Sequence, residues 1–215
     1  QKTAYEMLRS LVGSEMCIRD SLQGERLSPA QYRTPVEIAP ELSAAWLGTR
    51  HRKVQVPPTL ELDAGLLRLI GFYVAEGHSE DNYFILSSAD PEVTSDFLRT
   101  LKALGLRWYR AAGTCDYRVW SAFWSRLLAE WCGPDAGSKR LPPFWPELSN
   151  EQLGELLRAY FTADGGLEGA RVTATTSSHR LASDLAYALL RFGIVARIRR
   201  RRRRAPGWQA HRIYW

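Results

Sequence analysis

The chain has 215 residues, 45% of them apolar, which is enough for one core or two small halves, and Arg68 interrupts the apolar run that comes nearest to spanning a membrane. Its net charge of +6 is local: residues 197–215 hold eight arginines and no acid, whereas the remaining 21 basic residues face 23 acidic ones. A local arginine cluster points to a polyanionic partner, and three cysteines without CxxC spacing fit a reducing compartment (cytoplasmic, nucleoid or organellar) over secretion.

Residues 1–21, QKTAYEMLRSLVGSEMCIRDS, lack the basic start, apolar centre and cleavage site of a signal peptide. They resemble the peptide that results when sequencing-adapter DNA is translated, so they are set aside as a non-native, loosely attached segment. Residues 22–62, with Pro29, Pro35, Pro40, Pro57 and Pro58, read as a linker or N-terminal extension. It has room for one helix near Glu41 to Leu47 and a short strand around Val54 to Val56.

Asp63 is placed to cap an apolar helix that runs through Leu66 to Val74 and stops at Gly77. Alternation then predicts a strand over Asn82 to Ser88, and Pro91 opens a helix that ends at Gly105. A hairpin over Leu106 to Ala111 and Cys115 to Trp120 turns near Gly113, and Ser121 caps a third helix to Trp131. A further short strand is expected just after Gly77.

Gly137 to Pro143 links this unit, 63–148, to a second one, 149–215. There Ser149 or Asn150 caps a helix to Asp164, a strand covers Arg171 to Thr175, and a helix runs from Ser178 to Gly193. Strands at Ile194 to Arg200 and Gln209 to Trp215 complete it, with Arg202 to Arg204 in the turn between them. The third helix of this unit would lie beyond Trp215, so both ends of the sequence read as truncated.

The two units are copies. With an offset of 88 residues, Leu69-Ile-Gly-Phe-Tyr-Val-Ala-Glu-Gly77 aligns with Leu157-Arg-Ala-Tyr-Phe-Thr-Ala-Asp-Gly165, and Ser88, Leu101 and Gly105 fall on Thr176, Leu189 and Gly193. The repeat predicts an α+β fold, a pseudo-twofold pair of αββαββα units in a monomer. The even offset preserves strand parity. Phe84, Leu86, Leu106 and Trp108 match Val172, Ala174, Ile194 and Ala196 as an apolar face to be covered by helices. Tyr83, Arg107 and Tyr109 match Arg171, Val195 and Arg197, and with Thr173, Arg199 and Arg201 they form an open basic face suited to double-stranded DNA.

Gly71 and Ala75 correspond to Ala159 and Ala163, a row of small residues that lets two helix backbones approach. Such packing brings Glu76 and Asp164 together at helix C-termini, where mutual repulsion and the helix dipoles both disfavour their charges. A hard divalent ion such as Mg2+ would compensate, and shared carboxylate sites of that kind serve phosphodiester hydrolysis.

Both nonapeptides resemble the defining motif of the LAGLIDADG homing endonucleases, in particular the two-motif, single-chain type of inteins and introns. The resemblance covers residues 38–215. It includes Ser138-Lys-Arg-Leu-Pro142, similar to the Lys-x-Ile-Pro block, and the stretch from Thr176-Ser-Ser-His-Arg-Leu-Ala182 to Phe192-Gly-Ile194. It implies motif helices at a central interface, saddle-shaped antiparallel sheets on DNA, and site-specific cleavage of both strands. It also implies that Glu76 and Asp164 bind Mg2+ or Mn2+, and that Lys139 polarises the scissile phosphate or its water. Val74 and Thr162 replace the acid in the middle of each motif. The same fold serves as an RNA-splicing maturase or as a non-cleaving DNA-binding regulator, and a plain nucleic-acid binder built on the arginine run is a third alternative. Retention of both acids and Lys139 favours the nuclease.

Overall fold

A computed structural model of the chain describes residues 47–49, 52–56, 60–169, 171–202 and 209–214. It divides into two compact units, Gln1–Glu61 and Leu62–Trp215. In the first, strands β1 (Leu47–Thr49) and β2 (Arg52–Val56) form an antiparallel hairpin with Leu47 opposite Val56. Leu47 therefore starts a strand and does not end a helix. The β-branched Thr49, Val54 and Val56 favour that outcome. The expectations for Gln1 to Ser21 and for residues 41–46 lie outside the described residues.

The second unit begins with helix α1 (Ala64–Glu76), whose first free amides are met by Asp63: its Oδ1 accepts from Leu66 N at 2.8 Å. Leu67, Leu69, Ile70, Phe72 and Tyr73 are all fully buried, so α1 is covered on nearly every side. Burial of each large apolar side chain stabilises the fold by about 1.5–3 kcal/mol, which makes α1 the centre of the core.

The chain leaves α1 without a loop. Strand β3 (Gly77–Ser79) starts at the next residue, and a Cβ on Gly77 would lie 2.4 Å from the Tyr73 carbonyl oxygen. After β4 (Phe84–Ser87), helix α2 (Pro91–Ala103), β5 (Trp108–Arg110), β6 (Asp116–Val119) and helix α3 (Ala122–Cys132) follow, with Asp90 and Ser121 as caps. Helix α4 (Asn150–Asp164) opens the second copy. Ser149 and Gln152 form a reciprocal capping box at its start, and the chain again turns straight into a strand, β7 (Gly165–Glu168). Strand β8 (Arg171–Thr176), helix α5 (His179–Leu190), β9 (Arg197–Arg202) and β10 (Gln209–Tyr214) complete it.

Each copy builds one antiparallel four-stranded sheet with the same connectivity, β3-β4-β6-β5 and β7-β8-β10-β9. The α+β architecture of two like units is therefore present. Several local expectations are corrected. β7 is a strand that alternation did not reveal, because its two glycines carry no apolar pattern. Tyr83 and Arg107 precede their strands. Arg202 belongs to β9 and not to the turn, while residues 203–208 lie outside the described ones.

The predicted apolar face holds where helices cover it: Phe84, Leu86 and Ala174 are buried. It fails at the outer edges. Trp108 is 37% exposed, and β5 and the described side chains of β9 are exposed throughout. Leu106, Val172, Ile194 and Ala196 are only half-buried. An edge strand has a neighbour on one side only, so alternation in sequence does not by itself bury its apolar residues.

Candidate functional site

Helices α1 and α4 lie side by side in the same direction. Arg68 Nε reaches Glu155 Oε2 at 2.8 Å, Gly71 packs against Ala159, and the charge of Asp164 is felt at Glu76, so the contacts advance together along both helices. At Gly71 an added Cβ would stand 2.3 Å from the Leu156 carbonyl oxygen and 2.7 Å from the Ala159 Cβ, so the backbones meet where the small residues lie. Ala75 and Ala163, one turn further on, are half-buried.

Glu76 and Asp164 are the last residues of their helices and are half-buried. Burial raises the Glu76 carboxyl to about 7, and the negative charge of Asp164 adds to the rise. Burial likewise raises Asp164 to about 6, opposed by the Tyr160 hydroxyl, which donates to Asp164 Oδ2 at 2.9 Å. Tyr160 itself is held protonated by burial and by the nearby carboxylates, so it remains a donor. Among the described residues neither acid has an ion-pair partner. Tyr160 was not anticipated. Its counterpart at the 88-residue offset is Phe72, so the repeat concealed a hydroxyl that only one motif carries; a tyrosine four residues before the motif acid was the available signal.

Lys139 stands elsewhere. It is 3% exposed, its Nζ donates to the Gly133 carbonyl at 3.3 Å, and it lies 3.5 Å from the centre of the Tyr73 ring. Burial pulls its ammonium down to about 7, opposed by the nearby Cys132 and Asp135, and neither Glu76 nor Asp164 is among the groups that act on it. The expectation of a lysine offered to a phosphate is thus not met in this conformation. Desolvation by α1 and the end of α3 encloses it.

The sheet residues divide. Tyr109, Arg107, Arg171, Arg197 and Arg199 are exposed, and Tyr83 is half-buried with its ring 4.7 Å from that of Trp120. Thr173 is buried at 8% exposure, and its Oγ1 donates to the Gly166 carbonyl at 3.3 Å, so it is not part of an open face. Arg201 is a β9 residue whose side chain lies outside the described ones. In register, Arg199 faces Arg212 and Arg197 faces Tyr214. Among the described residues no helix is long and apolar enough to cross a membrane.

Comparison with solved structures decides the fold. The N-terminal LAGLIDADG domain of DUF199/WhiA superposes with a TM-score of 0.51 at 13% identity, over 72% of this chain and 75% of that one. The fold is that of a LAGLIDADG domain. I-DmoI in complex with DNA and Ca matches with a TM-score of 0.51 at 8% identity (72% and 84% of the two chains), and I-DmoI with nicked target DNA and Mn matches with 0.52 at 10% identity (72% and 89%).

Residues 151–214 match the family model of the LAGLIDADG-like domain. Among curated proteins, the DNA polymerase II large subunit of Thermococcus kodakarensis is 32% identical over 204 residues, 88% of this chain and 11% of that protein. The replication factor C small subunit of Methanocaldococcus jannaschii is 43% identical over 67 residues, 31% of this chain and 4% of that one. RNA polymerase subunit Rpo1C of the same organism is 25% identical over 201 residues, 86% and 23%. The chain thus spans only a small part of the curated relatives it matches.

Proposed function

We propose that this chain is a site-specific endonuclease of double-stranded DNA in which Glu76 and Asp164 hold divalent ions, Mg2+ or Mn2+, against the scissile phosphates. One observation carries the reading: two carboxylates without a cationic partner are brought to the ends of packed, parallel helices, where burial raises both pKa values and the charge of Asp164 raises that of Glu76 further. Among the described residues no group of three or more His, Cys, Asp or Glu forms an all-protein cage. Two acids, with phosphate and water oxygens completing the set, suit Mg2+, which keeps waters and binds through one or two carboxylates plus substrate phosphates.

The ion, when bound, supplies a water of lowered pKa and stabilises charge on the phosphate oxygens. The chain's own residues do the positioning. Gly71 and Ala159 fix the separation of the helix ends, Tyr160 orients Asp164, and the basic strand β9 holds the phosphate backbone. Supercoiled plasmid carrying the target would be linearised with Mg2+ and left intact with chelator. Glu76→Gln with Asp164→Asn should abolish cleavage and spare binding; cleavage by that double variant would dismiss the site.

The range of curated relatives supports the intein type. A DNA polymerase subunit, a replication factor subunit, an RNA polymerase subunit and an aminotransferase share no activity, yet each matches this chain over a small share of its length. A domain carried in an element inserted into unlike hosts produces that pattern. Mass spectrometry of the expressed source gene, finding a host protein shorter by this segment, would support it.

The enclosure of Lys139 favours one competing reading, a DNA-binding regulator that does not cut. Tight, specific binding without strand breaks in Mg2+ or Mn2+ would decide for it.

A further inference from the structure

In the sheet β3-β4-β6-β5, one row crosses all four strands: His78 faces Ile85, Ile85 faces Arg118, and Arg118 faces Tyr109. Phe84, Leu86, Tyr117 and Val119 are buried on the opposite face, so this row looks away from the core. Arg118 sits in an interior strand at the middle of the sheet. Its guanidinium carbon lies 5.7 Å from the centre of the Tyr83 ring, which is itself packed on Trp120.

The Nε of Arg118 is shielded from water and has no hydrogen-bond partner. Among the described residues no carboxylate pairs with Arg118, and Asp116, two residues away on the strand, is engaged by the Ser87 hydroxyl at 2.6 Å. Arg68, likewise half-buried, has a partner in Glu155. A shielded, unpaired donor on a charged group is costly, and the terminal nitrogens of the same guanidinium, which no described group engages by a hydrogen bond, are left for a partner that arrives from outside.

We propose that Arg118 reads a guanine in the major groove of the half-site covered by the first sheet. The inference rests on the DNA-binding reading above. Aromatic packing holds the guanidinium plane and leaves its planar fork free, and that fork matches the O6 and N7 acceptors of guanine. Adenine presents one acceptor and one donor, thymine one acceptor, and cytosine a donor, so none of them satisfies two parallel N–H groups. A phosphate is the weaker partner on two grounds. Arg118 lies at the centre of its sheet between Ile85 and Tyr109, not on a rim, whereas the arginine-rich β9 is an edge strand. The two halves thus divide the work, with charge-driven affinity on the second sheet and base discrimination at Arg118 on the first.

The test uses the full chain, a pool of randomised duplexes and no divalent ion, with bound sequences recovered and read. Wild type should recover one position with a guanine preference that Arg118→Lys weakens about tenfold or more while other positions and the salt slope are kept. Tyr83→Leu, which frees the guanidinium, should weaken the same position in part. Circular dichroism matched to wild type shows that each variant folds. An unaltered preference profile in Arg118→Lys, or a pool with no preferred guanine, overturns the assignment. So does Arg118→Gln weakening all sequences equally with a shallower salt slope, which would make Arg118 a phosphate contact. A wild type that binds no duplex at all removes the DNA reading itself, and the inference with it.

Discussion

Gly71 of the first motif helix and Ala159 of the second meet so closely that a Cβ on Gly71 would stand 2.7 Å from the Ala159 Cβ. That contact sets how near α1 and α4 approach, and therefore how near Glu76 and Asp164 come at their ends. The carboxylate pair is a consequence of a missing methyl group five residues upstream.

Gly71→Ala should destabilise the protein by about 1–3 kcal/mol, because the added methyl also strikes the Leu156 carbonyl and backbone cannot give way cheaply. Gly154, in α4, has nothing within 4 Å of an added Cβ. Gly154→Ala should stabilise by roughly 0.5–1 kcal/mol through helix propensity alone. Denaturant midpoints for the two variants should move in opposite directions; movement together would contradict the helix contact.

Glu76 and Asp164 bind protons more tightly in the folded chain, at about 7 and 6 against ordinary values of 4.5 and 3.8. Their protonated forms therefore support the fold at low pH, and that support is lost as pH rises from about 4 through 7. Melting temperatures in chelator should decline across this window. Glu76→Gln with Asp164→Asn should flatten the decline, and Mg2+ should raise the melting temperature of wild type above pH 7 but not that of the double variant. An equal decline in wild type and double variant would show that the acids are not the titrating groups.

Lys139 shows the opposite linkage, a base whose folded value is depressed from 10.5 to about 7. Its contribution is fully present above the unfolded value and is lost as pH falls through 7, so stability should rise between pH 7 and 10.5. Lys139→Met, of similar length and without charge, should remove that rise and leave stability at pH 7 level or higher. If the variant folds and binds DNA but no longer cleaves, Lys139 reaches the phosphate in the complex after all; full cleavage would assign it to packing against Tyr73.

Arg197 and Arg199 are exposed on β9 beside Arg212 and Tyr214 in register. Replacing both with Gln should flatten the plot of log affinity against log salt by about two units, since each lost phosphate contact removes about 0.9. Binding measured from low to moderate salt checks this, and an unchanged slope would place β9 off the DNA.

Much of the fold was legible because its signals are local. Asp63, Ser121 and Ser149 cap the helices they precede, and the 88-residue repeat carried the order of elements from one copy to the other. Caps act over three residues and alternation over two, distances that a sequence displays directly. β7 escaped because glycines carry no pattern, and Tyr160 because the repeat matched it to a phenylalanine.

The sequence by itself determined that two like units exist, that each ends its motif helix on an acid, and that the excess positive charge lies in one strand region. Tertiary structure decided which groups are available for chemistry. Lys139 was enclosed by Tyr73, 66 positions away in sequence, Thr173 was covered by its neighbours, and Trp108 was left open on an edge strand. Burial, and with it every shifted pKa, depends on residues that only packing brings within a few ångströms, and no spacing along the chain encodes which ones those will be.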